Sequence, residues 1–315
     1  MTPDAPALPL LEGAVRLNDW GVIRASGSDA RKFLHGQLTQ DVEHLDSSHA
    51  RLAGYCSAKG RLLATFVVWQ RGSDEVLLAC SADVLAATLK RLSMFVLRSQ
   101  CKLADASTAV PLWGLAGAAA SRALGATADV RAWERLEVAG ADVLRLPPGR
   151  AGGLDVARWL WAGAEPPALP LLDHATWLGL EASSGVARVV ADTVEQFVPQ
   201  MVNLDLVDGV NFQKGCYPGQ EVVARSQYRG TLKRRAQIVT CAEALRPGQE
   251  IFHEADPGQP AGRVVLAGSL PGSAAVALVE LKLAALTGGA LHAGSAAGPI
   301  LSLAALPYAI PAEVA

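Results

Sequence analysis

The sequence predicts an α+β protein with antiparallel sheets, followed at its C-terminal end by a small β-barrel or sandwich. In the first hundred residues, strand-like runs joined by turn compositions are interleaved with helical stretches, an order typical of α+β domains. Beyond Arg235 the chain changes to short strand candidates separated by Gly and Pro, a spacing that favours a closed barrel or a sandwich. We therefore expect a first domain over residues 10–105, a second over 106–234 and a C-terminal barrel over 235–310.

The first domain begins with a strand-like run over residues 15–25 that contains Trp20. Ser28 is expected to cap the helix that follows, whose apolar residues fall on one face. Further strands are predicted at residues 52–56, 61–70 and 76–80, and a longer amphipathic helix is predicted from Ser81.

The pattern is weaker in the second domain. Strands at residues 111–115 and 143–146 flank an alanine-rich helix, and Asp173 is expected to cap a helix that runs to Leu180. The barrel strands are predicted at residues 237–241, 250–253, 262–267, 274–283 and 300–303.

The composition is that of a compact globular protein. Half of the 315 residues are hydrophobic, 18% are charged and the formal net charge is −2, so contact with nucleic acid would require a local basic patch. The five cysteines are scattered and lack a C-x-x-C pair, which favours free thiols in a reducing cytoplasm over disulfides or a metal site. The N-terminus has no signal-peptide pattern, and the most apolar stretch, residues 274–286, is too short to span a bilayer. We expect a cytoplasmic protein without membrane contact.

The segment that carries chemistry is residues 214–221, which read K-G-C-Y-P-G-Q-E. Gly215 permits backbone conformations that other residues avoid, and Pro218 with Gly219 is a strong turn pair. Together with Tyr217, these residues predict a tight turn that carries a thiol.

The thiol of this turn belongs to Cys216, which precedes a helix expected to open at Gln220 and Glu221. The positive end of the helix dipole and the nearby Lys214 both favour a thiolate, the form that nucleophilic or redox chemistry requires. The alternative is a small buried cysteine that packs against the turn.

A basic run follows the turn, with no acid between Glu221 and Glu243. Its members are Arg225, Arg229, Lys233, Arg234 and Arg235. Arg225, Arg229 and Lys233 are candidates for an anion site suited to a polyglutamate tail or an RNA phosphate. The alternative is a solvated face at a domain junction.

The K-G-C-Y-P-G-Q-E segment resembles the signature of the YgfZ family of folate-binding, tRNA-modifying YgfZ-like proteins. Similar family motifs occur along most of the chain: L-N-D-W ending at Trp20, G-Q-L-T-Q-D-V from Gly36, C-S-A-K-G-R from Cys56, F-V-P-Q-M-V-N-L from Phe197, A-R-S-Q-Y-R-G-T-L-K-R-R from Ala224 and L-P-Y from Leu306. The family is similar in fold to the T-protein of the glycine cleavage system, a tetrahydrofolate-dependent aminomethyltransferase. The resemblance therefore implies α+β domains around a folate pocket, followed by a C-terminal barrel.

The resemblance also implies roles for individual residues. Trp20 and Trp177 match tryptophans that hold folate in the family, and a flat indole suits a pterin ring. Glu181 matches the acid of an L-E-A-G motif that hydrogen-bonds the pterin in T-protein relatives, although this chain reads L-E-A-S-S-G. Cys216 is expected at or near the mouth of the pocket. For each tryptophan the alternative is an ordinary core residue.

One departure from the T-protein pattern bears on catalysis. T-proteins carry a catalytic aspartate in the strand after the first-domain turn, whereas no acid occurs here between Lys59 and Asp74. Aminomethyl transfer by that mechanism is therefore expected to be lost, while the folate pocket is retained.

The leading hypothesis is thus a protein that binds tetrahydrofolate or another reduced folate and supports iron–sulfur client proteins, including enzymes that modify tRNA, with Cys216 as a reactive thiol. The first alternative is a folate-dependent one-carbon transferase in which another residue replaces the missing acid. The second is an RNA- or protein-binding module that uses the basic run over residues 225–235, with direct contact to tRNA.

Overall fold

Two antiparallel five-stranded sheets and a closed barrel make up the molecule, as seen in a computed structural model that describes residues 11–126, 130–228 and 232–311. In spatial order the first sheet contains β3 (Ala50–Cys56), β4 (Leu62–Arg71), β5 (Glu75–Ser81), β2 (Trp20–Ser26) and β6 (Lys102–Asp105). The second sheet contains β1 (Gly13–Arg16), β7 (Leu112–Ala116), β10 (Leu154–Ala162), β9 (Ala141–Ala151) and β8 (Arg135–Val138).

The barrel closes the C-terminal part of the chain, as the sequence predicted. Its strands, in spatial order, are β11 (Arg234–Cys241), β14 (Ser273–Lys282), β13 (Asp256–Leu270), β12 (Glu250–His253), β15 (Leu291–Ala293) and β16 (Ile300–Ala304). All strand pairs are antiparallel, and the interior is filled by small and branched apolar residues such as Val264 and Val279. Closure leaves no free sheet edge in this domain.

The helices connect or cover the sheets. They are α1 (Ala30–His35), α2 (Ala82–Ser93), α3 (Gly117–Ala123), α4 (His174–Ser183) and α5 (Gln220–Tyr228), with 3₁₀ turns at Ala191–Thr193, Pro199–Val202 and Leu283–Leu286. No helix among the described residues is long and apolar enough to cross a membrane.

The strand-like run over residues 15–25 is two strands in different sheets, so the expectation of one strand was wrong. β1 pairs with β7 in the second sheet, whereas β2 pairs with β5 in the first. The three residues between them make the crossing, and Leu17 is held there by a hydrogen bond from its N–H to the carbonyl of Leu112 at 3.0 Å. Local alternation does not reveal this crossing, because it indicates which face of a strand is buried and not which strand pairs with it.

Of the two helix caps predicted from the sequence, one is confirmed and one is wrong. Asp173 caps α4 as expected, because its carboxylate accepts a hydrogen bond from the N–H of Thr176 at 3.0 Å. Ser28 is not the cap of α1; Asp29 holds that position, and its carboxylate accepts the N–H of Gln100 at 2.7 Å instead of a helix N–H. A contact 71 residues away in sequence has thus replaced the local capping bond.

Helix α4 is clamped between the second sheet and the barrel. A Cβ atom built on Gly179 would collide with the carbonyl oxygen of Ser269, and one built on Gly268 would collide with the backbone of α4. Trp177, on the same helix, packs its ring against Gly114 of β7, where an added Cβ would lie 2.7 Å from the ring atoms. These close approaches fix the position of every side chain that α4 presents to the centre of the molecule.

Candidate functional site

A small buried cavity lies where β2, β4, β10 and α4 meet. Its volume is about 30 Å³, and charged and aromatic side chains line it among apolar ones. The polar and aromatic residues of its wall are Trp20, Thr65, Phe66, Trp133, Arg158, Glu181, Ser184 and Arg188. Buried charges at this density are unusual unless they pair with each other or with a ligand, so the wall marks a candidate binding site.

Arg188 is the centre of the charged cluster. Its guanidinium donates to both carboxylate oxygens of Glu181 at 2.7 and 3.0 Å, to Asp19 at 2.8 Å and to the hydroxyl of Ser81 at 2.9 Å. Burial alone would lower the pKa of Arg188, but Glu181 and Asp19 outweigh it and hold that pKa above its usual value. His174 completes the chain of contacts through a 2.8 Å hydrogen bond to Asp19. The cluster is therefore a continuous hydrogen-bonded network of ionisable side chains centred on the Arg188 guanidinium.

The two predicted folate-binding tryptophans take different positions. Trp20 lies in the cavity wall with the Arg188 guanidinium 4.7 Å from its ring centroid. Trp177 is fully buried one layer behind, with Arg158 stacked on it at 4.6 Å and standing between it and the cavity. Both indole N–H groups are buried without a hydrogen-bond partner in the part of the chain that the structure describes. An unpaired N–H in an interior is costly and favours an acceptor brought by a ligand.

Glu181 faces the cavity, but Arg188 already holds both of its oxygens. Each carboxylate oxygen has a second lone pair, so Glu181 retains the capacity to accept one further hydrogen bond per oxygen. Its charge is neutralised by Arg188, which makes it an acceptor anchored in one orientation.

A larger groove adjoins the cavity. Its volume is about 620 Å³, which lies in the usual range for small-molecule sites, and it shares Trp133, Pro147, Ser184 and Val186 with the cavity wall. Trp133 has a left-handed backbone with φ of 74°, uncommon for a residue with a side chain. Trp133 is half-buried, and because it lines both spaces it lies between the inner cavity and the outer groove.

The L-P-Y motif closes one side of this groove. The hydroxyl of Tyr308 donates to the carbonyl of Gly185 at 2.6 Å and accepts from the amide of Asn203 at 3.3 Å. Burial raises the pKa of Tyr308 to about 12, so the hydroxyl remains a donor at neutral pH. The end of the chain is thereby fastened to the turn that follows α4.

Cys216 is the exposed one among five free cysteines, all of which lie in the described residues. Burial raises the pKa of Cys56 and Cys80 to about 12 and that of Cys101 to about 11, so these thiols stay protonated. Cys241 is buried. A reagent or a partner in solution therefore meets Cys216 first.

Lys214 holds the Cys216 turn against α1. Its ammonium donates to the carbonyls of His35 at 2.6 Å and Leu38 at 3.0 Å and lies 4.9 Å from the ring centroid of Tyr217. Burial lowers the pKa of Lys214 to about 8, while Asp41 and Cys216 act in the opposite direction. Its side chain thus has a clear structural task, anchoring the turn, next to the thiol.

The Cys216 turn packs against the S-A-K-G turn of the first sheet. Gly219 has φ of +79°, and a Cβ there would meet the carbonyl of Ser57 and come within 2.6 Å of Gly60. Two motifs about 160 residues apart therefore form one surface. Neither the cavity nor the groove includes residues 214–221 in its wall, so the structure places the turn away from the mouth of the pocket.

The chain is 36% identical over 248 residues to the tRNA-modifying protein YgfZ of Edwardsiella ictaluri, covering 73% of this chain and 71% of that protein. It is 33% identical over 239 residues to the tRNA-modifying protein YgfZ of Photobacterium profundum, covering 72% and 69%. The chain belongs to the YgfZ family.

The fold of this YgfZ family member matches that of a T-protein. The crystal structure of glycine cleavage system aminomethyltransferase T from Bartonella henselae superposes with a TM-score of 0.68 at 16% identity, covering 95% of this chain and 86% of that one. At this identity the likeness concerns the fold alone. No family model matches the chain.

Only part of the basic run is available to bind an anion. Arg235 is buried and pairs with Asp205 at 2.6 Å, and Arg234 pairs with the buried Glu280 at 2.8 Å. Arg225 and Lys233 are exposed, whereas Arg229 lies outside the described residues. Two of the five cations therefore serve the junction with the barrel, which weakens the run as an RNA-binding surface.

Sequence reasoning missed Arg158, Arg188 and Trp133. Arg158 sits in the apolar run V-A-R-W-L-W-A, and Arg188 in V-A-R-V-V. A lone arginine inside such a run is a usable signal, because a charged residue is seldom fully buried without a partner or a ligand. No group of three or more His, Cys, Asp or Glu side chains placed to hold a metal ion occurs within residues 11–126, 130–228 and 232–311.

The glycines of the family signature differ in what they require. Gly219→Ala is expected to lower the free energy of unfolding by about 2 kcal/mol or more, because a left-handed backbone and a backbone collision both oppose the added Cβ. Gly215→Ala is the matched control. It has no positive φ, its nearest neighbour would be His35 at 3.7 Å, and a change within about 0.5 kcal/mol is expected. Urea denaturation of both variants measures this, and equal effects would contradict it.

Proposed function

We propose that this protein binds tetrahydrofolate or another reduced folate in the central cavity and supports iron–sulfur cluster assembly or repair, and thereby tRNA modification. The observation that carries the folate part is the buried wall that joins Trp20, with its unpaired indole N–H, to Glu181, an anchored acceptor. A flat heterocycle with a hydrogen-bonding edge fits such a wall. The names of its relatives, tRNA-modifying proteins, support the tRNA part.

The wall fits the chemistry of a pterin, but its present volume requires a side chain to move. A space of about 30 Å³ holds one water molecule and not a bicyclic ring. Trp133 is one of four residues that line both this space and the 620 Å³ groove, and we propose that its displacement joins the two. Trp20 and Glu181 would then hold the ring, with Trp177 supporting the site from behind Arg158.

When bound, a reduced folate supplies a carrier for one-carbon groups. The strand that would bear the T-protein catalytic acid contributes Thr65, Phe66 and Val67 to the cavity wall. Thr65 is itself occupied, since its hydroxyl accepts the N–H of Val189 at 3.0 Å. No carboxylate from this strand reaches the site, which favours binding over aminomethyl transfer.

Cys216 is the proposed reactive thiol. Its exposure, the burial of most other cysteines and its turn before α5 support a role in contacting a client protein or a reactive sulfur species. Since Cys216 does not line the cavity, the proposal assigns ligand binding and thiol chemistry to separate surfaces. Iron–sulfur client proteins are the proposed partners, and the cytoplasm is the proposed compartment.

Calorimetric titration with tetrahydrofolate under anaerobic conditions tests the folate proposal. The wild type is expected to bind with a saturable isotherm, and Trp20→Phe, which loses the indole N–H, is expected to weaken binding roughly 3- to 10-fold. Trp113→Phe is the matched control, since Trp113 stacks on Arg16 at 5.4 Å outside the cavity and should leave affinity unchanged. No saturable binding by the wild type would remove the folate proposal.

Complementation of a strain that lacks the protein tests the proposed role of the Cys216 thiol. Cys216→Ala should fail to restore cluster-dependent tRNA modification, whereas Cys101→Ala, at a half-buried thiol, should restore it. Full restoration by Cys216→Ala would eliminate the proposed role of this thiol.

A further inference from the structure

Arg158 is a buried cation whose hydrogen-bonding groups are nearly all unused. It lies on β10 with 3% of its surface exposed and borders the central cavity. Within the described part of the chain its Nε–H has no partner, and the one hydrogen bond of its guanidinium runs from Nη1 to the carbonyl of Pro147 at a long 3.4 Å. A guanidinium carries five N–H donors, so most of its capacity is unmet.

Arg188 lies in the same cavity wall and uses its donors, so unmet hydrogen-bonding capacity is not a general property of the arginines of this site. Arg188 donates to two carboxylates and a hydroxyl, whereas Arg158 hydrogen-bonds no carboxylate among the described residues, and both oxygens of the nearby Glu181 are held by Arg188. Stacking on Trp177 at 4.6 Å orients the plane of the Arg158 guanidinium but leaves its in-plane N–H groups unpaired. Burial lowers the pKa of Arg158 to about 10, so the group is still charged at neutral pH. A buried charge left in this condition is unfavourable unless a ligand supplies the acceptor.

The neighbours of Arg158 indicate which acceptor fits. Arg158 offers donors, and Glu181 beside it in the cavity wall offers remaining acceptor lone pairs, so the two together match a ring edge with an oxo group next to an N–H. The 4-oxo face of a pterin has this arrangement. A 4-amino ring has a donor in place of the oxo group and no N–H at the adjoining ring nitrogen, so it mismatches both residues.

We propose that Arg158 is a specificity-determining residue that accepts only 4-oxo pterins in the cavity and excludes 4-amino pterins. The inference rests on the proposed function, because it names the ring chemistry that the folate site selects. The carboxylates on the flexible tail of a folate are not the group that Arg158 binds. Arg158 is at the inner end of the site, whereas the groove outside is lined by three acids, Asp155, Asp205 and Asp208, and by Arg150, whose guanidinium is paired with Asp155 at 3.3 Å.

Paired ligands test the proposal on the wild-type protein. Tetrahydrofolate and tetrahydroaminopterin differ in the 4-oxo and 4-amino groups and in the ring tautomer that follows. Calorimetry is expected to give a preference of about 100-fold or more for the oxo compound, because the amino compound leaves the buried Arg158 donors unpaired.

Two arginine variants then test whether Arg158 causes the preference for the 4-oxo ligand. Arg158→Gln is expected to weaken tetrahydrofolate binding about 10- to 100-fold and to reduce the preference below about tenfold. Arg145→Gln is the matched control: Arg145 stacks on Trp159 at 4.7 Å and faces a different groove, and it contacts Arg158 only at the backbone carbonyl, at 3.3 Å. Its affinity and its preference should equal those of the wild type.

The outcomes separate this inference from the folate proposal. Equal affinity of the wild type for both ligands, or an unchanged preference in Arg158→Gln, would overturn the role of Arg158 while folate binding stands. Failure of the wild type to bind either ligand would overturn both. If Arg158→Gln does not fold, Arg158→Lys takes its place; it keeps the charge but loses the planar fork, and a preference between those of the wild type and about tenfold is expected.

Discussion

Replacing Arg188 by Met is expected to lower the free energy of unfolding by about 3–5 kcal/mol, since it removes the ion-pair partner that holds both oxygens of the buried Glu181 carboxylate. Glu181 is 4% exposed, and Arg188 supplies both of its hydrogen bonds. Asp19 is affected less, because it is partly exposed and keeps His174 as a partner at 2.8 Å. The midpoint of urea denaturation, followed by circular dichroism, measures the loss.

A second substitution distinguishes an unpaired charge from a simple loss of packing. Arg188→Met combined with Glu181→Leu removes both charges and should recover most of the lost stability. Arg24→Met is the control, because Arg24 is 45% exposed and its contact with Glu75 is 3.9 Å, so a change of about 0–1 kcal/mol is expected. Additive losses in the double variant would show that charge pairing is not the reason for the effect.

Asp142→Ala is expected to cost about 3–5 kcal/mol for a related reason. This carboxylate is 2% exposed and lies on β9 of the second sheet. It accepts from the indole N–H of Trp69 at 2.8 Å and from Arg71 at 2.5 and 2.8 Å, both on β4 of the first sheet, and also from Arg135. One carboxylate thus fastens the two sheets together, and its removal leaves two cations and an indole N–H without their shared acceptor.

Glu137→Ala is the matched control for Asp142, since Glu137 approaches the same Arg135 at 3.7 Å but is 69% exposed. A loss of no more than about 1 kcal/mol is expected there. Thermal and urea unfolding of the two variants give the comparison, and similar losses at both positions would contradict the role assigned to Asp142.

Much of the fold could be predicted because its strands carry local patterns. β4, β5 and β14 are long apolar or alternating runs bounded by turn residues, and the Gly/Pro punctuation after Arg235 indicated the barrel. β10 was missed because Asp155 and Arg158 interrupt its apolar run. Arg158, which interrupts this apolar pattern, is also a residue of the proposed site, so the same residue made the strand hard to predict and lines the cavity.

The residues of the Cys216 turn identified it as a turn, but they did not indicate which parts of the chain it packs against. The sequence indicated both Gly215, for its conformational freedom, and Pro218 with Gly219, as a turn pair, and the left-handed backbone occurs at Gly219 alone of the two glycines. Lys214 was predicted to favour the thiolate, and it also ties the turn to carbonyls 176 and 179 residues away. Turn composition identifies a turn, but only the packing of Gly60 against Gly219 decides which glycine is indispensable.

By itself the sequence predicted the family, the fold class and the barrel, which are confirmed, and it proposed Trp20, Glu181 and Cys216 as site residues, because motifs and periodicity are written within short stretches of chain. Only the tertiary structure decided that Arg188 would hold Glu181, that Arg158 would stand in front of Trp177, and that the thiol would lie apart from the cavity. The Arg188–Asp19 contact joins residues 169 apart in sequence. Such a pairing depends on how the sheets and α4 meet, and it holds because a buried charge must find its partner wherever the fold places one.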